Sequence, residues 1–220
     1  MLSPDEIRYA VKVMRQKFPD AGTTLIATTN YHFLLATILS AQSTDQSVNE
    51  VTPALFTRFP LPADLASAKP EEVEPYIKKL GLYRNKARFL VKTSQQLVTD
   101  FNGKVPQTLK ELMSLSGVGR KVADVVLAER FNIPAFPVDT HVSRVARRLR
   151  MVEPNATVLT IEKKLMKVIP PKHWLDAHHS MIFWGRYVCT ARNPKCQTCP
   201  LLAICETGQN NNLTVGVVTK

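Results

Sequence analysis

A lysine follows a short glycine turn in the stretch LSGVGRKVADVVL, residues 115–127. Lys121 comes two residues after Gly119, at the beginning of an apolar segment with helical spacing. The positive end of a helix dipole disfavours a cation in the first helical turn, so stability alone does not explain a lysine there. Its amine can contact a phosphate, remain a solvated charge or act as a nucleophile. The residues around it leave these three roles open.

The glycine turn predicts a hairpin between two helices, at about residues 107–128. A P-loop needs a longer glycine spacing after a strand, and a dinucleotide site needs a third glycine in a βαβ unit; neither pattern is present. Gly117 and Gly119 permit positive φ and a close approach of the backbone to a ligand. The N–H groups that open the next helix can then bind a phosphate without contacting bases.

An aspartate precedes another helical segment in FPVDTHVSRVARRL, residues 136–149. Asp139 stands where an N-cap is expected, and capping alone explains an aspartate at this position. A catalytic role would require Asp139 to act together with Lys121, which composition does not show.

The four cysteines of the chain form one compact cluster with the spacing C-x6-C-x2-C-x5-C. Four thiolates in one short loop, residues 189–205, indicate a metal centre. Structural zinc usually uses two separated Cys-x-x-Cys knuckles, and the unequal gaps here suit an iron–sulfur cluster at least as well. Zinc remains the alternative on spacing alone. The candidate ligands are Cys189, Cys196, Cys199 and Cys205.

The charge balance favours a polyanionic partner. The 220 residues include 29 Lys and Arg against 18 Asp and Glu, a net charge of +11. The basic residues are spread along the chain, which favours nucleic acid over a membrane surface. The start MLSPDEIRYAVKVM carries acidic residues and no long apolar core, and the run Phe33–Ala41 is too short to span a bilayer. We therefore expect a cytoplasmic protein with reduced cysteines.

The chain is predicted to be all-α, because helical periodicity recurs and no alternating strand pattern is found. The apolar residues 31–41 indicate a buried helix, and the Ser43/Gln46 pair has the spacing of a capping box for the next. Gly81 is expected to end the helix that contains Ile77. Phe89 and Val98 are expected on a buried helical face with Leu90 and Leu97, and residues from about Thr207 onward are expected to fray.

Taken together, these motifs closely resemble the endonuclease III family of the helix-hairpin-helix DNA glycosylase superfamily, whose members contain an iron–sulfur cluster. The resemblance runs from about Phe33 to Cys205. Its landmarks, in chain order, are LLATILSAQSTDQSVN, GLYRNKA, LSGVGRKVADVVL, FPVDTHVSRVARRL, HHSMIFWGRYVC and the four-cysteine loop. Their joint occurrence is far more specific than any one of them.

The resemblance implies two helical domains with a DNA-binding cleft between them. Residues 23–133 would form a helical barrel that includes the hairpin. Residues 1–22 together with 134–220 would form the domain that holds a 4Fe–4S cluster. The implied protein is a monomeric base-excision-repair enzyme that removes oxidised pyrimidines from duplex DNA and then cleaves the abasic strand by β-elimination.

The resemblance also implies roles for individual residues. Lys121 would be the nucleophile that forms a Schiff base, and Asp139 its essential partner. Gln42 and Leu82 would fill the gap left by the extruded base, and His141 would line the pocket region. The residues that would hold the phosphate near the lesion are Gly117, Val118 and Gly119.

Four residues depart from the family pattern. Ser116 stands where a proline usually precedes the first glycine, Asp124 replaces a common asparagine, and Tyr31 with His32 replaces a proline-containing helix entry. Two alternatives also remain: an adenine glycosylase-like mismatch repair enzyme and a non-catalytic iron–sulfur DNA-binding protein. Lys121 argues against both, because the adenine-specific group generally lacks this lysine and a pure binding protein does not need it.

Overall fold

The computed structural model describes the backbone of residues 1–215 and side chains through residue 211. Within these residues the chain forms helices and no strand, so the prediction of an all-α chain is confirmed. No described helix has the length and apolar character needed to cross a membrane. The helices are α1 Pro4–Lys17, α2 Asn30–Leu39, α3 Asp45–Arg58, α4 Pro62–Ser67, α5 Pro70–Ile77, α6 Tyr83–Phe101, α7 Leu109–Ser114, α8 Arg120–Phe131, α9 Thr140–Arg148, α10 Val158–Val168, α11 Trp174–Tyr187 and α12 Glu206–Val215.

The chain folds into two compact units. The central unit is Thr23–Ile133, with α2 to α8. The terminal unit combines residues 1–22 with the chain from Pro134 onward, and it contains α1 and α9 to α12.

The central unit is built around α2, whose residues are apolar on every side. Eight of its ten residues are buried, as expected for a helix surrounded by others. The hydroxyl groups of Tyr31 and Ser94 meet at 2.9 Å and satisfy each other inside this core. Burial raises the pKa of Tyr31 well above its ordinary value, so its phenol stays protonated.

The terminal unit packs α11 against both α1 and α9. Its largest buried side chain is Trp184 on α11. Gly185 allows α11 to approach α9 closely, because a Cβ there would lie 2.9 Å from the Cβ of His141 and 3.2 Å from a guanidinium nitrogen of Arg144. This contact determines how closely His141 and Arg144 lie against α11.

Two helix boundaries differ from the sequence prediction. Thr44, not Ser43, caps α3: its side chain accepts a hydrogen bond from the N–H of Ser47. The hydroxyl of Ser43 instead accepts a hydrogen bond from Lys86. Helix α5 ends at Ile77, before Gly81, and the left-handed residue of this turn is Leu82.

The expected buried face of α6 is confirmed in part. Leu90 and Leu97 are buried, but Phe89 and Val98 are 41% and 40% exposed, so the prediction was wrong for these two. The buried residues of α6 are Lys86, Ala87, Leu90, Val91, Thr93, Ser94 and Leu97. Of the segment expected to fray from about Thr207, residues 207–215 belong to α12, and residues 216–220 lie outside the described part of the chain.

Candidate active site and cluster loop

The hairpin between α7 and α8 depends on one left-handed glycine. Gly117 has φ +75°, and a Cβ on it would lie 2.9 Å from the Cβ and Cγ atoms of Phe89. Gly119 differs from the prediction, because its φ of −86° does not need glycine. It is the N-cap of α8, and apart from its chain neighbours no described atom lies within 4 Å of where its Cβ would be. Its missing side chain leaves open space beside the first N–H groups of α8.

Helix α6 holds the backbone of the hairpin at Ser116. The N–H of Ser116 donates to Gln96 Oε1 at 2.8 Å, and the amide of Gln96 donates to the carbonyl of Ser114 at 2.9 Å. Thr93 donates from its hydroxyl to the carbonyl of Ser116. A proline has no N–H and could not make the first of these bonds. The departure at Ser116 is therefore matched by Gln96, which anchors the turn through hydrogen bonds.

Lys121 is an exposed residue in the first turn of α8. Asp124, three residues later, is buried, with only 4% of its surface exposed. The amine of Lys121 is thus accessible to a ligand at the helix start, whereas the carboxyl group of Asp124 belongs to the interior.

Asp139 caps α9, as predicted. Its Oδ1 accepts a hydrogen bond from the N–H of Val142 at 2.8 Å, and its carbonyl accepts from Ser143 at 2.9 Å. Within residues 1–215 the second carboxylate oxygen has no hydrogen-bond partner. One oxygen of Asp139 is therefore structural, while the other remains available for chemistry.

His141 follows two residues later, in the first turn of α9, and is partly buried. A guanidinium nitrogen of Arg144 lies 3.1 Å from His141 Nδ1. Burial lowers the pKa of His141, and the positive charges of Arg144 and Arg186 act in the same direction, whereas Asp139 and a hydrogen bond to the backbone of Gly185 oppose it. The imidazole is therefore fixed between Arg144 and the backbone of α11.

The four cysteine side chains line one cavity of the terminal unit. None forms a disulfide. Burial, and to a smaller extent the neighbouring cysteines, raise the pKa of the thiols of Cys199 and Cys205. Four thiolates this close together therefore need a compensating positive charge, as iron would provide.

The surroundings of the sulfurs suit an iron–sulfur cluster. Polar hydrogens point at them from Arg148 to Cys189 Sγ at 3.6 Å, and from the N–H of Gly208 to Cys205 Sγ at 3.3 Å. Hydrogen bonds to the sulfurs are typical of the surroundings of iron–sulfur clusters, where they help to set the reduction potential.

Two arginines of α9 hold the irregular backbone of the cluster loop. Arg148 donates to the carbonyls of Thr190 and Ala191 at 2.6 and 2.8 Å. Arg144 donates to the carbonyl of Cys189 at 3.1 Å and to that of Gly185 at 2.7 Å. The helix that begins at Asp139 therefore also anchors the start of the cluster loop.

Gln42 and Leu82 occupy adjacent loops of the central unit, both with left-handed backbones. Their φ angles are +53° and +57°, and both side chains are exposed.

Sequence reasoning missed a third residue beside these loops: Lys86 is buried, with 3% exposure. The signal was present, since Lys86 shares the helical spacing of Leu90, Thr93 and Leu97, but a charged residue is not usually assigned to a buried face.

Comparison with known proteins identifies the family. A family model described as the HhH-GPD superfamily of base excision DNA repair proteins matches residues 35–171. A second one, the iron–sulfur binding domain of endonuclease III, matches residues 189–205. Endonuclease III of Bacillus subtilis (strain 168) is 42% identical over 212 residues, which cover 96% of this chain and 97% of that protein. Endonuclease III of Escherichia coli (strain K12) is 41% identical over 193 residues, 88% and 91% of the two chains.

A solved structure extends the likeness to three dimensions. It is a trapped covalent intermediate of an endonuclease III with DNA, 46% identical, with a TM-score of 0.94 over 96% of this chain and 100% of that one. Relatives above 40% identity therefore align along nearly the whole sequence, and the superfamily match covers more than half of it. On these grounds the chain belongs to the endonuclease III family of base excision DNA repair proteins.

Proposed function

We propose that this chain removes oxidised pyrimidines from duplex DNA through a Schiff base on Lys121 and then cleaves the abasic strand. As a member of its family, it is a DNA glycosylase and abasic-site lyase that acts on damaged double-stranded DNA. One observation carries the proposal: an exposed lysine amine opens α8 beside the glycine hairpin, in a chain 46% identical to a relative trapped in a covalent complex with DNA.

In the proposed reaction, Nζ of Lys121 bonds to C1′ of the damaged nucleotide. The glycosidic bond breaks, and its electron pair leaves with the base, which takes up a proton. Opening of the sugar ring between C1′ and O4′ then gives a protonated imine between C1′ and Nζ. The imine acidifies the C2′ proton, whose removal expels the 3′ phosphate and cuts the strand. Hydrolysis of the imine then regenerates the free amine. A water nucleophile could not follow this route, because it cannot form an imine with C1′.

Asp139 is proposed to stabilise the positive charge that develops on the sugar and to assist proton transfer. Two features support this role. Its N-cap position places the carboxylate at the positive end of α9, where a negative charge is stabilising. Only one of its oxygens is used for capping, to Val142, so the other can face a cationic sugar.

DNA binding is proposed to involve the hairpin, the two left-handed loops and His141. Gly117, Val118 and Gly119 would present backbone N–H groups to one phosphate. Gln42 and Leu82 would enter the space left by the extruded nucleotide, because a base inside the stack cannot be reached by an amine. His141 would line the pocket region.

The two compact units are proposed to correspond to two functional domains. The central unit would be the helical barrel domain with the hairpin, and the terminal unit would be the cluster domain.

The chain carries a 4Fe–4S cluster, and we propose that its ligands are Cys189, Cys196, Cys199 and Cys205. When bound, the cluster would hold the irregular loop together. The protein is proposed to act as a monomer in the cytoplasm, on nucleoid DNA.

The role of Lys121 is tested by borohydride trapping on a duplex with one oxidised pyrimidine. We expect a covalent adduct with the unaltered protein and none with Lys121→Ala, whose excision rate should fall by roughly 10³-fold or more. Lys12→Ala, which removes an exposed lysine of α1, is the matched control and should trap normally. An adduct that persists in Lys121→Ala would exclude this lysine as the nucleophile.

Asp139→Asn separates the charge of this residue from its capping function. Asparagine is as good an N-cap as aspartate, so the free energy of unfolding should stay within about 0.5 kcal/mol. Single-turnover base excision should fall by about 10²-fold or more, because the carboxylate charge is lost. Excision at the normal rate in this folded variant would show that the carboxylate only caps α9.

The two hairpin glycines should respond differently to alanine. Gly119→Ala meets open space at an ordinary φ, so we expect unchanged stability but weaker binding to duplex DNA, where a phosphate would approach. Gly117→Ala forces a left-handed alanine against Phe89 and should destabilise the protein by about 1–3 kcal/mol. Urea unfolding and a DNA titration at fixed salt measure both effects. Unchanged DNA affinity in Gly119→Ala would contradict the phosphate site.

A further inference from the structure

A cation is buried beside the loops that carry Gln42 and Leu82. Lys86 on α6 is 3% exposed, and its Nζ donates to the hydroxyl of Ser43 at 2.8 Å. Burial lowers the pKa of this amine. An ammonium group loses hydration here that one hydroxyl does not replace, which is unfavourable for stability. Since an apolar side chain of similar length would fill the same space, packing does not explain the charge.

Lys86 is connected to both loops. Its backbone N–H donates to the carbonyl of Leu82 at 3.0 Å, one turn earlier in the chain. Its side chain reaches Ser43, which directly follows Gln42. The loops also approach each other at Gly81, where a Cβ would lie 3.8 Å from the carbonyl oxygen of Gln42. The hydrogen bond from Lys86 to Ser43 therefore joins the loop after α2 to the start of α6.

Each loop holds one residue in a conformation that side chains rarely adopt. Gln42 and Leu82 have φ angles of +53° and +57°, and such backbones persist only where their surroundings hold them. Neither side chain gains burial in return, because Leu82 is 56% exposed and Gln42 is also exposed. Two strained backbones that present exposed side chains in adjacent loops indicate a site built to meet a ligand.

We propose that Lys86 is a positioning residue for base extrusion, and that its hydrogen bond to Ser43 holds the Gln42 loop against the Leu82 loop so that both side chains enter the DNA stack together. The inference rests on the role proposed above for Gln42 and Leu82. Lys86 does not contact the base or the sugar itself. It acts through Ser43 on one side and through the first turn of α6 on the other.

Lys86→Met distinguishes positioning from stability. Methionine keeps an unbranched stem and removes the buried charge, so the free energy of unfolding should be unchanged or higher. Single-turnover excision of an oxidised pyrimidine from a fully paired duplex should nevertheless fall about 10-fold, as expected when a hydrogen bond from a charged group is lost. The same lesion in a mismatched bubble, whose bases are already unstacked, should lose less than about threefold.

Ser43→Ala provides an independent variant. It removes the acceptor, so paired-duplex excision should again fall, and in a Lys86→Met background it should cause little further loss. Lys92→Met, at an exposed position of the same helix, is the matched control for removal of a lysine and should show the same duplex-to-bubble ratio as the unaltered protein.

Leu82→Ala and Gln42→Ala distinguish failure of this inference from failure of the proposed function. If these two variants lose paired-duplex excision while Lys86→Met and Ser43→Ala do not, Lys86 has no positioning role and the two loop residues keep theirs. If none of the four variants affects the paired duplex, the role of Gln42 and Leu82 is itself wrong. An equal loss in duplex and bubble for Lys86→Met would make Lys86 a general structural residue and overturn the inference.

Discussion

The close approach of Gly117 to Phe89 is the contact on which the hairpin between α7 and α8 depends. Gly117 has φ +75°, and a Cβ on it would lie only 2.9 Å from the Cβ and Cγ atoms of Phe89. The turn can therefore close in this way only with glycine at residue 117. Its closure directs the chain into α8, so it also determines where the first N–H groups of that helix and the amine of Lys121 lie. A small steric constraint thereby positions both the proposed phosphate site and the proposed nucleophile.

Helix α6 is the common support for these features. Its start carries Leu82 as the N-cap, its first turn carries Lys86, and its middle holds the hairpin through one aromatic contact and two hydrogen-bonding side chains. In the terminal unit, helix α9 has a comparable supporting role. Asp139 caps that helix, and the arginines of the helix donate to carbonyl groups of the cluster loop, which contains two three-residue 3-10 helices and is otherwise irregular. Each unit thus uses one regular helix to position an irregular segment.

Local patterns in the sequence predicted much of this arrangement. Helical periodicity, the cap at Asp139 and the cysteine spacing depend on residues close together in the chain, and the all-α prediction is confirmed. The start of α3 was wrong because Ser43 and Thr44 both offer a hydroxyl, and only the distant contact with Lys86 decides which one is free to cap. The burial of Lys86 was missed since a charged side chain on an apolar face goes against the usual preference. Pairing Lys121 with Asp139 needed the family resemblance, because they are separated in sequence and lie in different units.

The proposed reaction requires a covalent bond between Lys121 and the sugar, and peptide mapping tests this bond directly. The complex formed with a duplex that contains one oxidised pyrimidine would be reduced with borohydride, digested with protease and nuclease, and analysed by tandem mass spectrometry. We predict a single sugar-derived modification on Nζ of Lys121, within the sequence LSGVGRKVADVVL. A modification on any other lysine or on the N-terminal amine would contradict it.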